Sequence, residues 1–209
     1  MKAILLLLTT TCVISMVNAQ TPASTYNLLV GTYSSDKSKG IYVYSFNTET
    51  GEFSQKAEVE VKNPSYLAIT KDRKHVYSVS EGSEGTISAF SFNALTGQLT
   101  YLNSAPSGGN GPCYVSVDDK NKFVFAGNYG GGSLTAIPIN ADGSLSQDIQ
   151  NIRHVGKSIK PNQDKPHVHA AVLSKDNKYL FVPDLSTDKV NIYGVDVTRP
   201  KPLTPANPP

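Results

Sequence analysis

A polar turn feeding an apolar strand returns three times along this chain, and its spacing limits the folds available. The phrase is Lys71-Asp72-Arg73-Lys74-His75-Val76-Tyr77-Ser78-Val79. It recurs as Asp119-Lys120-Asn121-Lys122-Phe123-Val124-Phe125-Ala126-Gly127 and as Lys175-Asp176-Asn177-Lys178-Tyr179-Leu180-Phe181-Val182. The closing lysines Lys74, Lys122 and Lys178 stand 48 and 56 residues apart, and the longer step reflects an insertion around Ile149 to Lys165. A second phrase precedes each turn: Pro64 to Ile69, Pro112 to Val117, and Pro166 to Val172, the last one residue longer. A third follows, as Gly40 to Phe46, Gly85 to Phe92, Gly132 to Ile139 and Asp188 to Val195. Each alternates in polarity and runs into a turn such as Thr50-Gly51, Thr96-Gly97 or Asp142-Gly143, and a short fourth strand such as Gln98 to Leu102 comes next.

Four strand pieces in a unit of about 48 residues describe one four-stranded antiparallel blade, the building block of a β-propeller. The expected fold is therefore all-β, with about four blades. A β-sandwich also offers short strands, but it does not require the same phrases at a fixed period. The 16 glycines and 13 prolines fall at regular places, which suits many short strands better than long helices. The formal net charge is +2 and no run of five basic residues occurs, so nucleic acid is not expected as a partner.

Residues 1–19 read as a secretory signal peptide. Lys2 supplies the positive start, Ile4 to Val17 the apolar run, and Val17-Asn18-Ala19 the small-residue cleavage site. The run is short and broken by threonines, which argues against a retained membrane anchor. Cleavage after Ala19 would remove Cys12 and leave Cys113 alone, so no intrachain disulfide is expected. The mature protein is expected outside the cytoplasm, without stable membrane insertion. Removing 19 residues from 209 leaves 190, about four units of 48. The last residues, Pro205-Ala206-Asn207-Pro208-Pro209, read as a linker rather than a closing strand. Residues 20–209 are thus expected to be the N-terminal blades of a longer propeller.

Chemistry concentrates in Pro166-His167-Val168-His169-Ala170-Ala171-Val172-Leu173, which holds two of the four histidines. Side chains two apart in a strand point the same way, so His167 and His169 share a face if the strand begins at 167. A lone His-x-His is no site in itself, and both residues could be ordinary strand and loop positions. Asp184 could orient a histidine, bind hydroxyls, or cap backbone N–H groups of a blade turn. Asn128 and Tyr129 could bind hydroxyls near the channel, or Asn128 could relieve an unusual backbone angle before Gly130-Gly131-Gly132. Cys113 reads as a packed strand residue, and His75 and His154 as ordinary strand or loop residues.

The phrases resemble those of the lactonase family of seven-bladed propellers, whose namesake activity is 6-phosphogluconolactonase. Leu29-Val30-Gly31-Thr32-Tyr33 with Gly40-Ile41-Tyr42-Val43-Tyr44 is similar to that family's first blade, and Gly127-Asn128-Tyr129-Gly130-Gly131-Gly132-Ser133 to its third-blade turn. Pro166-His167-Val168-His169-Ala170 and Val182-Pro183-Asp184-Leu185-Ser186-Thr187-Asp188-Lys189-Val190 resemble its histidine strand and the turn that follows. The resemblance implies seven blades, about four of them here, and a site at one mouth of the central channel. It implies His169 as the catalytic histidine, with arginine and glutamate from blades past residue 209. On that footing the expected activity is sugar-lactone hydrolysis of the 6-phosphogluconolactonase kind. His169 would be the base, His167, Asp184, Asn128 and Tyr129 would bind substrate, and neither metal nor cofactor would be needed. The expected partner is a small sugar lactone, and the expected state a monomer. A muconate-type lactonising cycloisomerase is the alternative within the family. A non-catalytic propeller that serves as a scaffold is the alternative outside it, because fold does not fix function.

Overall fold

The computed structural model describes residues 24–206. The expected signal peptide, its cleavage after Ala19 and Cys12 lie outside the described residues. Fifteen strands form four separate antiparallel sheets. The first sheet holds β1 (Thr25–Val30), β2 (Gly40–Asn47) and β3 (Phe53–Glu60). The second holds β4 (Leu67–Ile69), β5 (His75–Ser80), β6 (Thr86–Phe92) and β7 (Leu99–Pro106). The third holds β8 (Pro112–Val117), β9 (Phe123–Asn128), β10 (Ser133–Pro138) and β11 (Gln150–Arg153). The fourth holds β12 (Val172–Leu173), β13 (Tyr179–Asp184), β14 (Lys189–Val195) and β15 (Leu203–Pro205). Every sheet is ordered as its strands follow in sequence, the meander of a propeller blade. A sandwich would instead have merged these strands into two facing sheets.

Each pair of neighbouring sheets encloses its own apolar core. Ile41, Val43, Val76 and Phe90 fill the first gap, Tyr77, Val79, Val124 and Ile137 the second, and Phe125, Leu134, Leu180 and Val182 the third. A middle strand such as β9 has a sheet on either side, so all six of its residues are buried. That is why Phe-Val-Phe-Ala-Gly-Asn reads as a continuous apolar run rather than an alternating one.

The turn before each second strand is built the same way three times. Thr70, Asp118 and Ser174 accept backbone N–H groups of the residues that start β5, β9 and β13. Asp118 is buried and uses both carboxylate oxygens, at 2.9 Å for Lys120 N and 2.6 Å for Phe123 N. Three residues further on, Arg73, Asn121 and Asn177 adopt left-handed backbone, with φ of 58°, 55° and 58°.

The first sheet corresponds to the last three strands of the others. The β2–β3 pair shifts register between Val43 and Tyr44, and the β6–β7 pair between Ala89 and Phe90, so β1 matches β5. No described strand of the first sheet matches β4, β8 or β12.

Two sequence expectations need correction. The extra residues of the third unit do not begin at Ile149, because Gln150–Arg153 form its outer strand, and the added length falls in the loop 154–166. Nor does a regular strand begin at residue 167. Val168 makes an isolated bridge to Asp184, and the ladder resumes only at Val172. Between them His169 N–H donates to Pro183 O at 3.0 Å, so this side of Pro183 faces β12. The third sheet makes the same one-residue shift, leaving Cys113 out of the pairing opposite Gly127, so the opening is a bulge of the repeat, and at Pro183 the answering N–H is also missing.

Candidate active site

The first strands of consecutive sheets converge. The Tyr66 and Tyr114 rings stand 4.4 Å apart, and Cys113 Sγ lies 3.7 Å from Val168 O and 3.6 Å from His169 O. The ladders place three residues in one repeated slot on this inner wall. Pro112 pairs with Asn128 and Val168 with Asp184, so the next residues, Cys113 and His169, are equivalents, and the Pro64-Ser65-Tyr66 phrase makes Ser65 the third. A second repeated slot lies one residue past each second strand, where Glu81, Tyr129 and Leu185 stand, each seven residues after its marker lysine. The matched bulges add Tyr33 from the first sheet. Together these slots form the rim of one mouth.

His167 and His169 meet at Tyr129. Val168 between them is fully buried in the gap between the third and fourth sheets, which turns its two neighbours the other way. The His167 ring stacks on the Tyr129 ring at 4.4 Å and 7°, and the His169 ring stands edge-on to it at 5.6 Å and 90°. His167 Nδ1 donates to Tyr129 O at 3.2 Å. A carbonyl only accepts, so the proton sits on Nδ1 and Nε2 is left for another partner. His169 is exposed.

Asp184 is 2% exposed and holds this segment from below. Its Oδ1 accepts His167 N at 2.9 Å, Ser186 N at 3.2 Å and Thr187 N at 3.3 Å. Its Oδ2 meets His154 Nδ1 at 2.9 Å. Burial pushes the carboxyl upward, but the bonds from His167 N, His154 and Ser186 N outweigh it and hold the group below the usual carboxylate range. The geometry is that of a turn-capping carboxylate paired with a histidine, with its oxygens committed to the protein.

His154, read from sequence as ordinary, is the residue that was missed. Its side chain is 5% exposed, its Nδ1 engages Asp184, and the Tyr193 hydroxyl lies 3.0 Å from its Nε2. Two signals pointed there: Asn191 and Tyr193 alternate on β14 and so share a face, and His154 directly follows an outer strand. It lies in the inserted loop, outside every repeated phrase, which is why the repeat did not single it out.

Asn128 is corrected as a channel residue. It is fully buried, and its Nδ2 donates to Ser107 O at 2.8 Å and Ser133 Oγ at 3.0 Å. The positive φ falls on Gly132, at 56°, rather than on Asn128. Asn128 and Asp184 are repeat equivalents, and each ties the end of its second strand to neighbouring loops. The glycine run is a turn packed on its own chain, since a Cβ on Gly131 would lie 2.8 Å from Asn110 N and one on Gly132 2.7 Å from Pro166 O. Cys113 is half-buried in the wall, and burial first, then the Glu81 charge, pushes its thiol up to about 11. Among the described residues, no three His, Cys, Asp or Glu side chains are grouped to hold a metal ion.

The family description "Lactonase, 7-bladed beta-propeller" matches residues 27–208. The 6-phosphogluconolactonase of Bacillus subtilis is 36% identical over 166 residues, which cover 78% of this chain and 48% of that protein. The 6-phosphogluconolactonase of Formosa agariphila is 32% identical over 176 residues, 81% of this chain and 50% of that protein. The structure of the Pseudomonas aeruginosa periplasmic gluconolactonase superposes with a TM-score of 0.80 at 32% identity, covering 88% of this chain and 56% of the other. The chain spans about half the length of the curated relatives it matches. With four blades, the histidine segment at one mouth and a family match along nearly its whole length, the chain belongs to the lactonase family of seven-bladed β-propellers.

Proposed function

We propose that the full-length protein hydrolyses sugar lactones, in the manner of a 6-phosphogluconolactonase, at the mouth that carries His169. The observation that carries the reading is the convergence of His167 and His169 on Tyr129. The relatives named 6-phosphogluconolactonase and gluconolactonase support it.

Ring opening needs water at an ester carbonyl. The His169 imidazole takes a proton as the water oxygen adds, and a tetrahedral oxyanion forms. Its collapse breaks the bond to the ring oxygen, and the imidazolium returns the proton to that oxygen to give the hydroxy acid. Imidazole suits both transfers because its charge changes near neutral pH. His167, with Nδ1–H held by Tyr129 O, offers Nε2 as an acceptor for a substrate hydroxyl. Tyr129 spaces the two rings, and Asp184 fixes the backbone entering the segment.

The test follows 6-phosphogluconolactone and glucono-δ-lactone with the full-length protein and its His169→Ala variant, corrected for spontaneous opening. Loss of a general base predicts a fall in kcat/KM of about 10²-fold. No acceleration by the folded protein would sink the hydrolase reading and leave a non-catalytic scaffold. Export is part of the proposal and rests on residues 1–19. Secreted or periplasmic protein should begin at Gln20, and recovery of an uncleaved Met1 terminus would count against it.

A further inference from the structure

The rim carries a second polar cluster, one blade beyond Cys113 from the histidines. Glu81, at the position that Tyr129 fills in the next blade, receives two hydroxyl donors on one oxygen. Tyr33 Oη donates to Glu81 Oε2 at 2.8 Å, and Ser65 Oγ donates to the same atom at 2.6 Å. The bond that Tyr33 donates to the Glu81 carboxylate raises its phenol above the ordinary value. The backbone is held as well: Asn63 Nδ2 donates to Glu81 O at 2.8 Å, and Glu81 N–H to Asn63 O at 3.0 Å. Among the described residues, Glu81 Oε1 accepts no hydrogen bond from the protein.

The placement is not arbitrary. Tyr33 reaches from the first sheet to Glu81 of the second as Tyr129 reaches from the third to His167 of the fourth. Ser65, which steadies the carboxylate, stands in the same inner-wall slot as Cys113 and His169 in the following blades. Cys113, in contact with the His169 carbonyl, also feels the Glu81 charge. A carboxylate held by two hydroxyls, with its other oxygen free, is an acceptor of fixed position. Vicinal hydroxyls are the donors that such an acceptor suits. Lys165, whose Nζ lies 3.4 Å from Gly130 O, is a cation on the histidine side of the rim, so any anionic group of a ligand is better placed there than beside Glu81.

We propose that Tyr33, Ser65 and Glu81 form a hydroxyl-binding subsite of the mouth, in which Glu81 Oε1 accepts from the polyol part of a lactone whose carbonyl lies toward His169. The proposal deepens the hydrolase reading and rests on it for the reaction, while the binding readout below does not require turnover.

The experiment uses the full-length protein and its Glu81→Ala and Tyr33→Phe variants, with circular dichroism to confirm folding. Two lactones are compared: glucono-δ-lactone, which carries hydroxyls, and δ-valerolactone, which carries none. Loss of a charge-assisted hydrogen bond predicts that the ratio of their kcat/KM values falls about tenfold in Glu81→Ala, through KM of the hydroxylated substrate. Tyr33→Phe, which removes one donor to Glu81 at an exposed position, should lower the same ratio by a smaller factor. Calorimetry with glucitol gives the independent reading, binding to the wild type and weakened in Glu81→Ala. A protein that turns over neither lactone yet binds glucitol through Glu81 refutes the hydrolase reading and upholds the subsite. An unchanged ratio in a folded variant, or glucitol binding that is absent or indifferent to Glu81, overturns the subsite.

Discussion

Asp184 shows how much a single buried carboxylate can organise. Three backbone N–H groups and one imidazole converge on it, and one of those N–H groups belongs to His167. Its carboxyl is held below the usual range, so its contribution to stability is present above the unfolded value of about 3.9 and is lost as pH falls through the lower folded value. Asp184→Asn should therefore cost about 2–3 kcal/mol near neutral pH, with the gap to wild type narrowing below about pH 4. Urea melts from pH 3 to 7 would read this, and a gap that stayed constant with pH would contradict it. The residue also marks where sequence was informative. The His-x-His pair and Asp184 stood out by type and spacing, whereas His154 did not, because its partners lie 30 and 39 residues away on other strands. Asn128 misled for the opposite reason: its sequence neighbours are polar and glycine-rich, yet its side chain turns inward to Ser107 and Ser133.

Among the elements, the repeated turn is the clearest economy. Its third residue is left-handed each time, and asparagine fills the position twice. Arg73 takes the same backbone without the short polar side chain that tolerates it. Arg73→Asn should raise stability by about 0.5–1 kcal/mol, visible as a higher melting temperature. A lower one would mean that the Arg73 side chain contributes more than its backbone costs. The repeat phrases exposed the strands because second strands are apolar runs and third strands alternate. They could not reveal that β12 is interrupted. That depends on a bulge shared with the Cys113 position of the third sheet, a matter of pairing rather than of local pattern.

Across the described residues, three separate apolar gaps join the four sheets, each gap lying between neighbours in sequence. Stability in such an array is set by sheet-to-sheet interfaces rather than by one central core. Phe125→Ala, in the gap between the third and fourth sheets, should cost about 3–5 kcal/mol in stability of that interface. Amide hydrogen exchange should quicken most in β9, β10 and β13 and least in β1 and β2. Uniform loss of protection across all four sheets would show a single cooperative unit instead.

The slot shared by Ser65, Cys113 and His169 has a consequence for how such a mouth changes over time. One backbone niche is moulded three times and furnished with an alcohol, a thiol and an imidazole. The mould belongs to the duplicated unit and the furnishing to a single codon, so a new reactive group can be auditioned at one blade while its neighbours keep the channel's shape.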